Sequence, residues 1–148
     1  MGVQSSRFSA VALVAATAKT AVQLVAPADH RLRIVSWAFT TDGATAAGVP
    51  VLVDVLRQTT AGTASAGTVT AWDPADTSTI GTTQITFTAE PTAGDVLLSL
   101  YVPAYDGLYE REHDPLRGII VPASGRLGIR ATAPAGVNAT GYIAWELA

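Results

Sequence analysis

Apolar and polar residues alternate along most of this chain, in short runs separated by Gly, Pro, Asn and Asp. Alternation with a period of two is typical of β-strands with one buried face, and the intervening residues favour turns. No window carries a convincing helical stripe, and the Ala-rich opening is the only contender. The alternating runs are 11–15, 22–26, 32–41, 51–56, 68–72, 85–89, 96–102, 119–121, 127–132 and 142–147.

The number and spacing of these runs predict an all-β protein, an antiparallel β-sandwich with a jelly-roll-like arrangement of roughly eight to ten strands. At 148 residues the chain suits a single domain, which we expect over 10–148. Residues 1–9 are expected to form an N-terminal arm that adds a strand to a neighbour or lies along it.

Three local patterns refine this prediction. The last two runs, separated by a turn at 134–138, predict a β-hairpin. Residues 32–41 carry apolar side chains on both faces, which predicts a strand covered on both sides. The small, polar residues 58–67 predict a loop.

The composition indicates a protein that hides part of its surface against other chains. Charged residues make up 14% of the sequence, and hydrophobic residues 49%, whereas about 25% charge is usual for soluble domains. A net charge of -3 argues against a nucleic-acid partner, which would require a basic stripe. The absence of cysteine excludes disulfides, thiolate nucleophiles and cysteine-based zinc sites.

The opening of the chain also resembles a short secretory signal, with an A-x-A pattern at 16–18. We expect it to belong to the folded protein instead. It does not predict a membrane-spanning helix, because Lys19 and Gln23 interrupt the apolar stretch well before about 20 residues are reached. No membrane partner is therefore expected.

The densest group of chemically active residues is 110–114, which contains Glu110, Glu112 and His113. Such a group can bind a divalent metal or transfer protons, but it is also typical of a solvated loop. In an extended chain Glu110 and Glu112 share a face and His113 points away. The other histidine, His30, follows Asp29 at a turn and has no nucleophile motif beside it. We expect no catalytic residue, metal or cofactor, and no enzymatic activity.

The aromatic residues permit two interpretations. Tyr101, Tyr105 and Tyr109 recur every four residues and either stack on sugar rings or anchor an interface, or pack over the edge of a sandwich. Trp37, Trp72 and Trp145 lie within strand patterns and are predicted in the core or at its edge. The residues predicted at an interface with another chain are Arg7, Phe8, Trp72, Tyr105, Tyr109 and Arg111.

Several stretches together carry a family resemblance. They are 33–43, 50–57, 59–63, 72–74, 87–91, 126–131 and 145–146. In these stretches the chain resembles small β-rich proteins encoded beside the major capsid gene of tailed double-stranded DNA bacteriophages, especially those of actinobacterial hosts. The motifs are strand and turn signatures, and they contain no catalytic residues.

The resemblance implies a head decoration or minor capsid protein. Such a protein is located in the virion, on the outer capsid surface, where it contacts the major capsid protein and reinforces the contacts between capsomers. It is a homo-oligomer, typically a homotrimer, and has no direct contact with nucleic acid. The alternatives are a carbohydrate-binding β-sandwich module that uses the tyrosines, a tail or fibre component of a virion, and, last, an enzyme that uses 110–114.

Overall fold

A computed structural model describes residues 2–43 and 49–148. Within these residues the chain forms twelve strands in two six-stranded antiparallel sheets. The strands are β1 (Gln4–Leu13), β2 (Ala18–Val25), β3 (Leu32–Thr41), β4 (Val51–Gln58), β5 (Thr63–Ala66), β6 (Val69–Ala71), β7 (Thr82–Ala89), β8 (Ala93–Val102), β9 (Leu108–Glu112), β10 (Ile120–Val121), β11 (Arg126–Thr132) and β12 (Val137–Leu147). The prediction of an all-β antiparallel sandwich is confirmed, with two more strands than the upper estimate.

The two additional strands are β5 and β9. β5 lies in the segment 58–67, which the sequence predicts to be a loop, and its small polar residues give no apolar alternation because it is an exposed edge strand. β9 is exposed at most of its positions as well. Strands with little buried surface lack the alternating pattern, so sequence reasoning does not find them.

The strands other than β5, β6 and β7 form a jelly roll, in which β9 and β10 together occupy one of the eight strand positions. The first sheet contains β1, β12 and β3 in that order, followed by β9 and β10, which both pair with the remaining edge of β3. The second sheet contains β2, β11, β4 and β8 in that order. Along the chain these strands alternate between the two sheets, except that β4 and β8 pair within the second sheet and β9 and β10 share the edge of the first, as in a jelly roll.

The predicted hairpin of the last two runs is therefore wrong. β11 pairs with β2 and β4 in the second sheet, whereas β12 pairs with β1 and β3 in the first. Each strand buries one apolar face, so the two face each other across the core instead of lying side by side. A hairpin and a crossing between the sheets both give two alternating runs separated by a turn, so the sequence pattern does not distinguish them.

An insertion between β4 and β8 distinguishes the two lateral sides of the sandwich. Its β6 extends the first sheet beside β1, and its β7 and β5 extend the second sheet beside β2. We call this side, closed by β5, β6 and β7, the covered side. On the opposite side, here called the open side, β8 ends the second sheet and β9 with β10 end the first.

A β-bulge explains the two apolar faces of β3. Ser36 pairs with Ala144 and Ile34 with Trp145, so Val35 is an extra residue without its own partner. Leu32 and Ile34 are buried before the bulge, and Trp37 and Phe39 after it. The core-facing side thus changes parity within one strand. Ser36 and Ala38 on the other face are buried as well, so the prediction of a strand covered on both sides is confirmed over 36–39.

The segment expected to be an N-terminal arm is part of the first sheet of the same chain. From Gln4 onward it belongs to β1, which pairs with β12 along its length and with β6 at Gln4–Ser6. The buried face of this part begins with two polar residues, Gln4 and Ser6, followed by Phe8. The Gln4 amide is satisfied inside the protein, donating to Ser78 O at 3.1 Å and accepting from Ile80 N at 2.8 Å.

One continuous apolar core lies between the sheets. Its largest fully buried side chains are Trp37, Trp145, Phe8, Phe39, Leu24 and Leu32. The buried positions of Trp37 and Trp145 confirm their predicted place in the core, and the Trp145 indole N–H donates to Ile80 O at 2.7 Å. In the part of the chain described by the structure, no helix has the length and apolar character needed to cross a membrane.

Candidate interaction surfaces

Within the charged group at 110–114, Glu110 and Glu112 lie in surroundings different from those of His113. Glu110 and Glu112 lie on the exposed face of β9, opposite Ala38 and Ser36 of β3, as the extended pattern predicts. The Tyr142 hydroxyl donates to Glu110 Oε1 at 2.7 Å, and burial raises the pKa of Tyr142, so the phenol stays protonated as this donor. Within residues 2–43 and 49–148, no group of three or more acidic or histidine side chains is arranged to hold a metal ion.

The two histidines lie apart in different surroundings. His113 follows β9, and its backbone N–H donates to Val35 O at 2.7 Å. Burial, and then the charge of Arg111, lower the pKa of His113, whose Nε2 is buried without a partner among the described residues. His30 instead contacts the exposed Asp29 at 2.8 Å, and that hydrogen bond lowers the pKa of Asp29.

The three tyrosines do not form one platform. Tyr101 lies on β8 of the second sheet and is 69% exposed. Tyr109 lies on β9 of the first sheet and packs against Trp37, with ring centroids 5.1 Å apart. Tyr105 lies between these strands, in a bridge with Gly43. Their regular spacing in sequence comes from a crossing between sheets, so they cannot stack on one ligand as a row.

The predicted interface residues are likewise dispersed. Phe8 is 1% exposed and packs 6.1 Å from Phe39, so it has no surface to offer another chain. Arg111 is exposed on β9. Of the six, Arg7, Phe8 and Trp72 line one groove on the outer face of the first sheet, and of these three Arg7 and Trp72 have exposed side chains.

This groove, here called the Trp72 groove, has a volume of about 680 Å³. The side chains that matter for its chemistry are Ser5, Arg7, Trp72, Thr140 and Tyr142. They come from β1, β12 and the bend that follows β6, and Arg7 lies directly opposite Tyr142 in the β1–β12 pairing. The paired strands form most of the groove, and Trp72 is held beside β1 by hydrogen bonds to Val3 and Ser5.

The exposed position of Trp72 corrects its predicted place in the core. β6 directs Val69 and Ala71 inward, in register with the buried Ser6 and Gln4, so the next residue in the alternation faces outward. The Trp72 side chain is 55% exposed. Its backbone N–H donates to Val3 O at 2.9 Å, and its indole N–H donates to Ser5 Oγ at 2.8 Å.

The second surface is the free edge of β8. This ten-residue strand pairs with β4 on one side, and no other strand in the described part of the chain lies along its outer edge. Val96, Leu97 and Tyr101 are 48%, 37% and 69% exposed, respectively. The strand carries a single charge, at Asp95. A long, exposed and apolar edge of this kind readily pairs with another chain.

Comparisons with known proteins give no relative. No family model matches the chain, and neither the curated proteins nor the solved structures contain a match. A jelly roll serves many unrelated functions. The function must therefore be inferred from the surfaces of this chain, together with the resemblance described above.

Sequence reasoning misses the residues that line the groove with Arg7 and Trp72. Tyr142 lies near the opposite end of the chain and reaches the groove because β12 pairs with β1. Its alternation with the buried Ile143 does indicate that it faces outward. Nothing in the local sequence indicates that β6 pairs with β1 at Ser5, which places the Trp72 indole beside Arg7.

Proposed function

We propose that this chain is a structural virion protein that decorates the outer surface of a phage head, where it binds copies of itself and the major capsid protein. The observation that carries the proposal is the unpaired apolar edge of β8. A monomer with such an edge is prone to open-ended association, and a closed oligomer that covers the edge removes this hazard.

The low charge supports the same function. With 14% charged residues, the chain has few groups for a fully solvated surface, and several of its large apolar side chains are exposed. The most exposed are Leu116 at 93%, Tyr101 at 69% and Leu108 at 66%. Leu116 lies in the segment that separates β9 from β10, and Leu108 begins β9, so these side chains extend the apolar character of the open side. Obligate interfaces are more apolar than ordinary protein surfaces.

We assign the β8 edge to contacts between copies and expect a homotrimer, as the family resemblance implies. In a threefold assembly each interface joins two different surfaces, and the ring closes after three copies. Many such trimers on a symmetric shell then bind through repeated weak contacts with the major capsid protein.

The test is the mass of the purified protein by light scattering after size-exclusion chromatography. We expect three times the monomer mass for the natural chain, and a monomer for the double variant Leu97→Lys with Tyr101→Lys, because two charges at the β8 edge cannot be buried unpaired. Val14→Lys is the matched control, since Val14 is also exposed, at 61%, but lies between β1 and β2. Its mass should equal that of the natural protein.

Binding to the shell is tested by co-sedimentation with empty heads assembled from the major capsid protein encoded in the same genome. The natural chain should sediment with the heads, and the β8 double variant should bind them much more weakly. A natural chain that stays monomeric and leaves the heads bare contradicts the proposal. Antibody labelling confined to tails or fibres in electron micrographs of virions would instead favour the tail or fibre alternative.

A further inference from the structure

We propose that the Trp72 groove binds a neutral carbohydrate, with the Trp72 indole stacked on a pyranose ring and with Arg7 and Tyr142 holding its hydroxyl groups. The groove lies on the outer face of the first sheet, towards the covered side, whereas β8 edges the second sheet on the open side. The inference does not depend on the virion function, because it uses none of the residues assigned to contacts between copies.

The Trp72 indole is a fixed platform. More than half of the side chain is exposed, yet hydrogen bonds to Val3 O and Ser5 Oγ hold its backbone and its ring N–H. A ring that is already ordered loses little conformational entropy when a ligand binds. The face of an indole carries partial negative charge, so it attracts the axial C–H groups of a pyranose, which are weakly positive.

Arg7 and Tyr142 supply polar groups next to this platform. They face each other across the β1–β12 pairing, which places their Cβ atoms about 5 Å apart. Arg7 makes no side-chain hydrogen bond or ion pair with any residue that the structure describes, so its donors face solvent. The Tyr142 hydroxyl donates to Glu110 and also hydrogen-bonds with the Ser36 side chain, which leaves one oxygen lone pair as an acceptor. A donor next to an acceptor matches two hydroxyl groups on adjacent carbons of a sugar ring.

The charges around the groove favour a neutral ligand over an anion. Arg7 is the only cation among the described side chains that line it, and Glu110 and Glu112 lie on the same outer face. Two carboxylates oppose a phosphate or an acidic sugar near one guanidinium. A nucleic acid is disfavoured as well, because it requires a basic stripe and not a single arginine.

The size of the groove fits an oligosaccharide. Its volume of about 680 Å³ lies within the range of about 300–1,000 Å³ typical of small-molecule sites. A second hollow of about 620 Å³ continues on the other side of Arg7, where Thr68 and Thr70 contribute hydroxyl groups. Together the two hollows provide room for more than one sugar unit along the edge of the first sheet.

The probes are the neutral trisaccharides maltotriose, cellotriose, mannotriose and galactotriose, with trigalacturonate as the anionic counterpart of galactotriose. Binding is measured by isothermal titration calorimetry and by tryptophan fluorescence. The fluorescence change reports on Trp72, because Trp37 and Trp145 are each 1% exposed. We expect at least one neutral trisaccharide to bind at millimolar concentration or below, and trigalacturonate to bind more weakly than galactotriose.

The variants test the two parts of the site separately. Trp72→Ala should weaken binding about tenfold or more, which corresponds to about 1.4 kcal/mol, and Trp72→Phe should restore part of the affinity. Arg7→Gln should also weaken binding and, because its side chain has no partner here, should leave the melting temperature unchanged. Val14→Ala is the control, an exposed apolar residue between β1 and β2 that belongs to neither surface, and should bind as the natural chain does.

Three results overturn the inference. They are the failure of all four neutral trisaccharides to bind, unchanged binding in folded Trp72→Ala and Arg7→Gln, and tighter binding of trigalacturonate than of galactotriose. If Trp72→Ala does not fold, Arg7→Gln and the fluorescence of the natural chain decide the question. None of these results bears on the trimer or on head binding, which depend on β8 variants.

Discussion

The two lateral sides of this sandwich differ in how the edges of the sheets are covered. On the covered side, the insertion between β4 and β8 adds strands to both sheets, and buried polar side chains bond it to the framework. The Ser6 and Thr83 hydroxyl groups hydrogen-bond at 2.7 Å, and the Gln4 amide donates to Ser78 O at 3.1 Å and accepts from Ile80 N at 2.8 Å. On the open side, β8 ends the second sheet with exposed Leu97 and Tyr101.

The difference indicates which side is complete within one chain. Gln4, Ser6 and Thr83 on the covered side are at most 2% exposed and are hydrogen-bonded, so that side is a finished part of the fold. The close packing also explains Gly67, because a Cβ there would collide with Thr83 Oγ1. The open side leaves backbone and apolar groups without protein partners in the described chain, which is typical of a surface that another chain covers.

Removing the Gln4 amide should have the largest effect on stability. Gln4→Ala removes the bonds to Ser78 and Ile80 and leaves their backbone groups partly unsatisfied, so we expect a loss of about 3 kcal/mol in the free energy of unfolding. Urea denaturation measures this loss, and hydrogen exchange should become faster in the insertion, residues 59–92.

The matched control for Gln4 is Thr63→Ala, which removes an exposed side chain of β5 in that insertion. It should change the unfolding free energy by less than about 0.5 kcal/mol. Equal losses in both variants would mean that the buried Gln4 amide does not hold the insertion in place.

The sequence predicts individual strands better than their partners. The bounds of β3 follow from Arg31 before it and the Asp42-Gly43 turn after it, and the core positions of Trp37 and Trp145 follow from alternation. The jelly-roll order does not follow, because a strand that crosses to the other sheet has the same pattern as one that returns in a hairpin. Bulges, such as the one at Val35, depend on the partner strand and leave no local signal.

The Trp72 groove illustrates the same limit. Arg7 and Trp72 are predicted at a surface from their residue types, and the structure brings them together. Tyr142 joins them only through the pairing of the first and last strands. A short strand such as β6 has too few residues for alternation to decide which face Trp72 takes.

The next largest loss of stability is expected where β8 is attached to β4. Asp54 of β4 accepts from Ser99 Oγ of β8 at 2.6 Å and from Arg130 of β11 at 3.0 Å. Asp54→Ala leaves Arg130, whose side chain is 24% exposed, without its acid partner. We expect a loss of about 2 kcal/mol, measured by urea denaturation, and faster hydrogen exchange in β8.

The comparison for Asp54 is the more exposed pair between Arg33 and Glu146, with side chains 29% and 31% exposed. Glu146→Gln should cost about 0.5 kcal/mol, because solvent screens this pair. If the two substitutions cost the same, burial does not strengthen the link from β4 to β8.

The smallest effect we expect is a pH dependence from His113, on the open side between β9 and β10. Burial and the charge of Arg111 lower its pKa in the folded protein, so the unfolded chain takes up a proton first as the pH falls. The resulting loss of stability begins near the unfolded pKa of about 6.5 and continues down to the folded pKa. Above that range His113 is neutral in both states and contributes no pH dependence.

His113→Gln should therefore remove part of the decline in unfolding free energy between about pH 7.5 and 5. The control is Thr63→Ala, which removes an exposed side chain without a titratable group and should keep the decline of the natural chain. Urea titrations at both pH values measure the difference between each variant and the natural protein, so the carboxylates common to all three chains cancel. A difference for His113→Gln that is the same at both pH values would show that the His113 ring titrates as freely when folded as when unfolded, and that the open side admits solvent to it.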